Sequence, residues 1–203
     1  MRYPKLRELK EAVLSFLSRP YTTSYPTKKH VAAKGFRGKP TPSSNCIGCM
    51  ACIEVCPARA IEAKDTLGPA DSNRVIVWHL DECHYCGQCE LNCTTRQANP
   101  PGVRLTGEYE LAGFKRCEMV SQSHRQALAL CELCGTTITT HGHLDWILKR
   151  LGPLGFSNPT IFISALKEIG LADEIPKKPQ ESTRADRIKV LCAKCRRGST
   201  QEK

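Results

Sequence analysis

The sequence of 203 residues contains no apolar run that approaches the roughly 18 residues a membrane-spanning helix requires. Its opening residues lack the apolar stretch and small-residue cleavage site of a secretory signal, so we expect a reducing compartment and no disulfide framework. The motifs GxGxxG, Walker A, GxSxG and HExxH are also absent, which removes the usual sequence signs of nucleotide-dependent or hydrolytic catalysis. These absences favour a relay or binding role.

Aromatic residues make up only 6% of the chain, and its positive charge is uneven. Residues 1–40 hold ten Lys/Arg against two acids, residues 41–175 hold eleven against fifteen, and residues 176–203 hold nine against three. Thiolate-bound metal centres would reduce the formal charge of +10 to roughly +4. Because stacking aromatics are scarce and no nucleic-acid motif is present, we expect no nucleic-acid partner.

The chain instead has 13 cysteines, most of them in repeated clusters. The run CIGCMACIEVC begins at Cys46, and the similar run CHYCGQCELNC begins 37 residues later, at Cys83. In two-cluster ferredoxins the fourth cysteine of each run binds the other cluster. The spacing therefore predicts two 4Fe–4S clusters, held by Cys46, Cys49, Cys52 and Cys93 and by Cys83, Cys86, Cys89 and Cys56. Zinc binding is the alternative reading of these runs.

Residues beside the ligands adapt each run to a cluster. Gly48 and Gly87 are expected to let the backbone approach, so that amide N–H groups bond the sulfurs and tune the potential. Pro57 follows the last cysteine of the first run, whereas Thr94 follows that of the second. Threonine at this position either loosens the turn or adds a hydrogen bond, and in both cases we expect an effect on the cluster held by Cys93.

Two later CxxC pairs predict a third metal site of a different kind. The four thiolates suit a tetrahedral zinc or a rubredoxin-like single iron that fastens the basic C-terminal tail. The predicted ligands are Cys131, Cys134, Cys192 and Cys195. His141 and His143 are rival ligands, and Cys117 is left without an assigned role.

We predict an α+β chain with four parts. Residues 1–18 form an amphipathic helix, which lies on a membrane surface, docks in a partner's groove or packs on its own domain. A mitochondrial transit peptide is a further alternative, although Glu8 and Glu11 are unusual in one. Residues 19–42 form an extended arm on a neighbouring subunit or a mobile linker. A bacterial 2×4Fe–4S ferredoxin-like domain covers 43–112, and a helical extension closed by the four-cysteine site covers 113–203.

Shorter elements follow from local patterns. Strands are predicted at 60–63 and 75–80, and helices at 143–151 and 160–170. We also predict a short strand followed by a helix within 104–130, and a linker at 176–187.

The strings TTSYP, GFRGKP, CIGCMACIEVCPARAI, CHYCGQCELNC and GEYELA resemble the ferredoxin-like subunit of membrane-bound hydrogenases of the formate hydrogenlyase and hydrogenase-4 type. They are also similar to the two-cluster subunit of respiratory complex I. The resemblance covers about residues 20–115, and the late CxxC pairs favour the hydrogenase branch. Thr94 departs from both groups.

The resemblance implies an electron-relay subunit that is not catalytic by itself. Electrons would arrive from an upstream iron–sulfur protein and leave to the small and then the large, nickel–iron subunit of a hydrogenase. It also implies a peripheral position on the cytoplasmic face, with the N-terminal helix near the membrane arm. A subunit of a complex I-like quinone oxidoreductase and a free ferredoxin-type carrier remain the alternatives.

Overall fold

A computed structural model describes residues 5–19, 22, 24–28, 30–68, 71–171 and 189–201. The chain divides into two compact units, residues 1–33 and residues 34–203. The predicted linker at 176–187 lies outside the described residues. Among the described segments, no helix is both long enough and apolar enough to cross a bilayer.

The first unit contains helix α1, Leu6–Leu17. The backbone N–H of Lys5 donates to the Glu8 carboxylate at 3.0 Å, which satisfies one amide at the start of the helix. The apolar residues recur at helical spacing, but α1 buries none of them. Leu6 and Phe16 are 87% and 90% exposed.

The second unit is organised around strand β3, Asn73–His79, which buries five of its seven residues. Strand β2, Ile61–Thr66, runs antiparallel along one edge of β3, with Ile61 opposite Trp78. On the other edge lie β5, Val120–Gln122, and β6, Gln126–Leu130, one after the other. Because β3 has neighbours on both edges, its apolar sequence RVIVW forms the centre of the sheet.

Two further strand pairs complete the sheets. Strand β7, Thr137–Thr140, is antiparallel to β6, and β1, Pro40–Pro42, is antiparallel to β4, Val103–Leu105. The larger sheet therefore joins strands on both sides of residue 112. The prediction of a helix within 104–130 is wrong, because after β4 this stretch forms β5, β6 and only a one-turn 3-10 helix at Arg116–Glu118. These short segments take their conformation from pairing with β3 rather than from their local sequence pattern.

Five α-helices lie within the described residues of the second unit. Two four-residue helices, α2 at Ala51–Glu54 and α3 at Gln88–Leu91, begin inside the two cysteine runs. Helices α4, His141–Leu151, and α5, Pro159–Glu168, agree with the predicted helices to within two residues, while α6 is Ala193–Gln201.

The N-termini of α4 and α5 are capped by polar side chains. The Thr140 hydroxyl accepts from the N–H of His143 at 3.3 Å, and the Asn158 side chain accepts from the N–H of Thr160 at 3.0 Å.

Two clusters of buried side chains support this arrangement. The first lies between the cysteine runs and the sheet and includes Ile61, Ile76, Trp78, Leu80, Cys89 and Val103. The second packs α4 and α5 on β6 through Ala129, Leu144 and Ile161. Each packs an apolar sheet face or helix stripe away from water, and the first also forms one wall of the cysteine sites.

Candidate iron-sulfur sites and four-cysteine site

The two cysteine runs fold into the same backbone shape. Gly48 and Met50 have φ values of +64° and +67°, and the residues 37 positions later, Tyr85 and Gly87, have +50° and +83°. Left-handed residues therefore occupy matching places in both runs, although glycine fills the first place in one run and the second place in the other. The duplication predicted from sequence is thus also present in the backbone.

The non-glycine residues at these places are held in a strained conformation. A left-handed backbone costs Met50 and Tyr85 roughly 1–2 kcal/mol each. Alternation of right- and left-handed residues turns successive amide N–H groups toward one side, which creates a concavity that favours anions. A cluster bound by four thiolates is an anion, so this strained backbone suits the predicted cofactor.

The first cavity has about 330 Å³ of empty space and is lined mainly by apolar side chains, backbone and sulfur. Around it the structure places the four cysteines predicted for the first cluster, Cys46, Cys49, Cys52 and Cys93. Cys93 therefore reaches the cavity of the first run, as the crossed pattern of two-cluster ferredoxins requires.

The second cavity has about 350 Å³ of empty space. It is lined by the four cysteines predicted for the second cluster, Cys56, Cys83, Cys86 and Cys89. Cys89 and Trp78 line both cavities, so the two sites share these side chains as part of their walls.

An unpartnered polar atom at the shared wall fits two iron–sulfur clusters. The Trp78 side chain is 1% exposed, and among the described residues its indole N–H is the one buried side-chain polar atom without a hydrogen-bond partner. An orphaned buried donor is costly. Trp78 lines both cavities, and the sulfurs of a cluster can accept hydrogen bonds, which an apolar filling cannot.

Burial raises the pKa of cysteine thiols at both cavities. Burial, reinforced by the nearby thiol of Cys83, raises the pKa of Cys89 to about 11. Burial and the neighbouring Cys46 raise the pKa of Cys52 further. These thiols ionise readily only when iron compensates their charge, so cluster binding is coupled to proton release.

The residue after Cys93 makes a contact that the sequence left open. The hydroxyl of Thr94 lies 2.9 Å from the sulfur of Cys49. The next hydroxyl, that of Thr95, lies 3.5 Å from the sulfur of Cys93 and donates to the carbonyl of Asn45 at 2.9 Å. Of the two alternatives at Thr94, the added hydrogen bond is the one observed.

Gly102 is required beside the first cavity for a steric reason. A Cβ at this position would lie 2.2 Å from the Thr95 hydroxyl and 3.1 Å from the sulfur of Cys93. Only glycine lets this part of the chain pass so close to Cys93.

A buried arginine supports the first cysteine run. The Arg74 side chain is 5% exposed, and two of its nitrogens donate to the Asp65 carboxylate at 2.7 Å each. Its third nitrogen donates to the carbonyl of Gly48 at 3.3 Å. Sequence reasoning missed this residue, although a single charge inside the apolar segment RVIVW was the available signal.

Other contacts hold the backbone of both runs. The hydroxyl of Thr140, at the end of β7, donates to the carbonyl of Ile47. On the second run, the Arg37 guanidinium donates to the carbonyl of Cys86 at 3.1 Å. The Tyr85 hydroxyl donates to the carbonyl of Leu80 at 3.0 Å, which compensates part of the strain at Tyr85.

The four late cysteines converge as predicted. The sulfurs of Cys131, Cys134, Cys192 and Cys195 all lie within 4.8 Å of one another. Metal–sulfur bonds of about 2.3 Å in a tetrahedron place sulfurs about 3.8 Å apart. Cys134 and Cys192 are separated by that distance, 3.8 Å. The site therefore fits one tetrahedral ion, and it joins the β6–β7 turn to the start of α6.

Hydrogen bonds orient the ligands of this site. The N–H of Cys192 donates to the sulfur of Cys131 at 3.3 Å, and that of Cys195 donates to the sulfur of Cys192 at 3.5 Å. Hydrogen bonds with the hydroxyl and backbone of Thr136 lower the pKa of Cys134 to about 6, whereas the hydrogen bond with Cys134 raises the pKa of Cys195 to about 12.

The rival ligands have other partners. His141 lies 3.7 Å from the Glu168 carboxylate, and the Nδ1 atom of His143 lies 2.8 Å from the Thr139 hydroxyl. Burial and the nearby Arg74 lower the pKa of His143. The structure brings neither histidine into the four-cysteine group, and Cys117 is exposed in the 3-10 turn.

Comparison with known proteins agrees with the cysteine arrangement. Residues 45–97 match the family described as the 4Fe-4S dicluster domain. Formate hydrogenlyase subunit 6 of Escherichia coli is 34% identical over 131 residues, which cover 64% of this chain and 68% of that protein. NADH-quinone oxidoreductase subunit I 2 of Geobacter metallireducens is 28% identical over 132 residues, covering 62% of this chain and 97% of the relative.

Among solved structures, a chain of the membrane-bound sulfane sulfur reductase, an archaeal respiratory membrane complex, matches with a TM-score of 0.38 and 22% identity. The match covers 59% of this chain and 61% of that one.

Proposed function

The chain belongs to the family of formate hydrogenlyase subunit 6, and we propose that it relays electrons between partner subunits through two 4Fe–4S clusters. The observation that carries this proposal is the pair of cavities with a shared wall, each lined by the four cysteines predicted to hold its cluster. A bound 4Fe–4S cluster takes up and releases single electrons. Two such centres in contact with the same side chains form a path for charge.

The protein's own residues keep this path short and dry. Cys46, Cys49, Cys52 and Cys93 hold the first cluster, and Cys83, Cys86, Cys89 and Cys56 hold the second. Trp78, Ile76 and Val103 exclude water from the wall of the first cavity, which lowers the local dielectric. In the second run the left-handed Tyr85 donates its backbone N–H to the sulfur of Cys83 at 3.4 Å, the kind of contact that tunes a cluster.

Family membership supports a place in a membrane-associated oxidoreductase. In this proposal electrons enter from an upstream iron–sulfur protein, pass to the small hydrogenase subunit and reach the nickel–iron site of the large subunit. The subunit is peripheral, on the cytoplasmic face, and the exposed apolar residues of α1 contact the membrane arm. The basic residues of 1–40 suit an anionic surface at that place.

The four-cysteine group is proposed to hold a structural zinc or a single iron. All four coordination positions are filled by cysteine, which is typical of structural ions and leaves no position for a substrate. The bound ion fastens the segment 189–201 to the β6–β7 turn.

A second candidate is a subunit of a complex I-like quinone oxidoreductase, favoured by the match that covers 97% of the Geobacter metallireducens relative. That match leaves 38% of this chain without a counterpart, since it covers only 62% of it. A free ferredoxin-type carrier is the third. Gentle extraction followed by size-exclusion chromatography separates these three cases. Co-elution with nickel–iron subunits supports the hydrogenase, and co-elution with quinone-linked subunits supports the second candidate. A small free species supports the third.

The relay is tested on full-length protein matured without oxygen. We expect two clusters by iron and acid-labile sulfide content and two interacting EPR signals after reduction. Cys49→Ser and Cys86→Ser should each disrupt one cluster and stop electron transfer, whereas Cys117→Ser, at an exposed thiol, should change neither. Absence of sulfide from matured wild-type protein would overturn the proposal.

A further inference from the structure

Thr94 occupies the place after the fourth cysteine of its run, where the first run has Pro57. Its hydroxyl oxygen lies 2.9 Å from the sulfur of Cys49, in a partly buried position. Cys49 comes from the other run and faces the same cavity as Cys93. The contact therefore joins the two runs at one site.

The direction of this hydrogen bond follows from counting protons. A cysteine that binds iron has lost its thiol proton, so its sulfur can only accept. The Thr94 hydroxyl has one proton and, within the described residues, no other hydrogen-bond partner. In the cluster-bound protein the hydroxyl must therefore donate to the sulfur of Cys49.

The neighbouring hydroxyl offers a comparison within the same chain. Thr95 lies 3.5 Å from the sulfur of Cys93, but its single proton is used at 2.9 Å by the carbonyl of Asn45. Because a bound Cys93 cannot donate either, this pair makes no hydrogen bond in the cluster-bound protein. Of these two side-chain hydroxyls at the first cavity, only that of Thr94 is free to act on a sulfur.

On the basis of the proposed function, we propose that the Thr94 hydroxyl raises the reduction potential of the cluster held by Cys46, Cys49, Cys52 and Cys93. Reduction adds negative charge to the cluster and its sulfurs, so a donor to Cys49 stabilises the reduced state more than the oxidised state. In the second cavity Pro57 follows the crossing cysteine and has neither a hydroxyl nor an N–H. Thr94 therefore acts on one cluster of the pair.

The test is an anaerobic redox titration of full-length protein, followed by EPR, in which each of the two cluster signals is assigned a midpoint. Thr94→Val keeps the shape of the side chain and removes the donor. We expect Thr94→Val to lower the equilibrium constant for reduction of one cluster about three- to tenfold. This corresponds to a decrease of about 30–60 mV in the midpoint potential of a one-electron couple, and the midpoint of the other cluster should not change. Thr94→Ser, which keeps the hydroxyl, is expected to stay near the wild-type potential.

Thr94→Pro is a second variant without a donor, and the first run shows that this position accepts proline beside a crossing cysteine. If the valine variant does not retain its cluster, Thr94→Pro takes its place in the test. It should lower the midpoint of the same cluster. The inference is overturned if neither donor-free variant shifts a midpoint, if both midpoints move equally, or if serine behaves as valine does. All of these outcomes are measured on protein whose wild type contains two clusters. If the wild-type protein contained no clusters, the relay proposal itself would fail, and the two failures are therefore distinguishable.

Discussion

Replacement of Cys134 by serine removes one of the four thiolates at the late metal site, and we expect it to release the segment 189–201 while both clusters stay in place. The segment reaches the rest of the second unit mainly through this site and through two buried residues, Val190 and Leu191. The structure allows the free-energy contribution of the ion to be compared with that of these two buried residues.

The contacts of the segment without an ion are close to balance. Burying Val190 and Leu191 contributes about 3–6 kcal/mol. Three hydrogen bonds add roughly 3 kcal/mol: from the Glu132 N–H to the Val190 carbonyl, from the Val190 N–H to the Glu132 carboxylate, and from the Thr160 hydroxyl to the Leu191 carbonyl. Fixing the backbone of the four residues 189–192 costs about 4–8 kcal/mol. A structural zinc site contributes about 10–16 kcal/mol, so the ion decides.

Amide hydrogen exchange of the full-length, cluster-containing protein measures this effect. In the wild type, the amides of Val190, Cys192 and Cys195 donate hydrogen bonds and should be strongly protected. In Cys134→Ser, the contacts that remain without an ion leave a net stabilisation of about 5 kcal/mol at most, so amide exchange should come within roughly five-thousandfold of an unfolded chain. Cys117→Ser is the matched control, since its thiol is exposed and outside the group.

Two results would refute this reasoning. Unchanged protection of 189–201 in Cys134→Ser would mean that burial of Val190 and Leu191 holds the segment without an ion. Loss of the two cluster EPR signals would mean that the late site is needed for assembly of the clusters and not only for fastening the tail.

Two further substitutions test the surroundings of the first cavity. Gly102→Ala places a methyl group 2.2 Å from the Thr95 hydroxyl, so we expect about half of the cluster iron to be lost, whereas Gly113→Ala, whose nearest neighbour lies at 3.6 Å, should keep full iron content. Asp65→Asn leaves the buried Arg74 guanidinium without its anion, and because Asp65 is 27% exposed we expect a loss of about 2–3 kcal/mol. That loss should appear as disappearance of the visible cluster absorbance at lower denaturant concentration, and an unchanged midpoint would contradict it.

Sequence spacing was enough to predict which cysteines meet, because metal ligation depends on residue type and on short fixed gaps. The late group shows this over a long separation, since Cys131 and Cys192 are 61 residues apart and still adjoin. Helices α4 and α5 were also predictable, because each has its own apolar periodicity and polar cap.

Strands β5 and β6 were not predictable in the same way. They have three and five residues and acquire their conformation from pairing with β3, which no local pattern records. The contacts of Thr94 with Cys49 and of Arg74 with Gly48 likewise join residues distant in sequence. Composition could identify Thr94 and Arg74 as unusual, but only the fold identifies what they touch.

The same pairing explains why the first cluster should survive loss of the late ion. The carbonyl of Ile47, in the first cysteine run, accepts from Thr140 at the end of β7, while Cys131 and Cys134 lie at the opposite end of the β6–β7 hairpin. Three features hold the hairpin together without any metal: the backbone hydrogen bonds between β6 and β7, the hydrogen bond from the Cys131 N–H to the Thr136 carbonyl, and the packing on α4. The first cluster is therefore supported by the backbone pairing of β6 with β3, whereas the ion fastens only the segment 189–201.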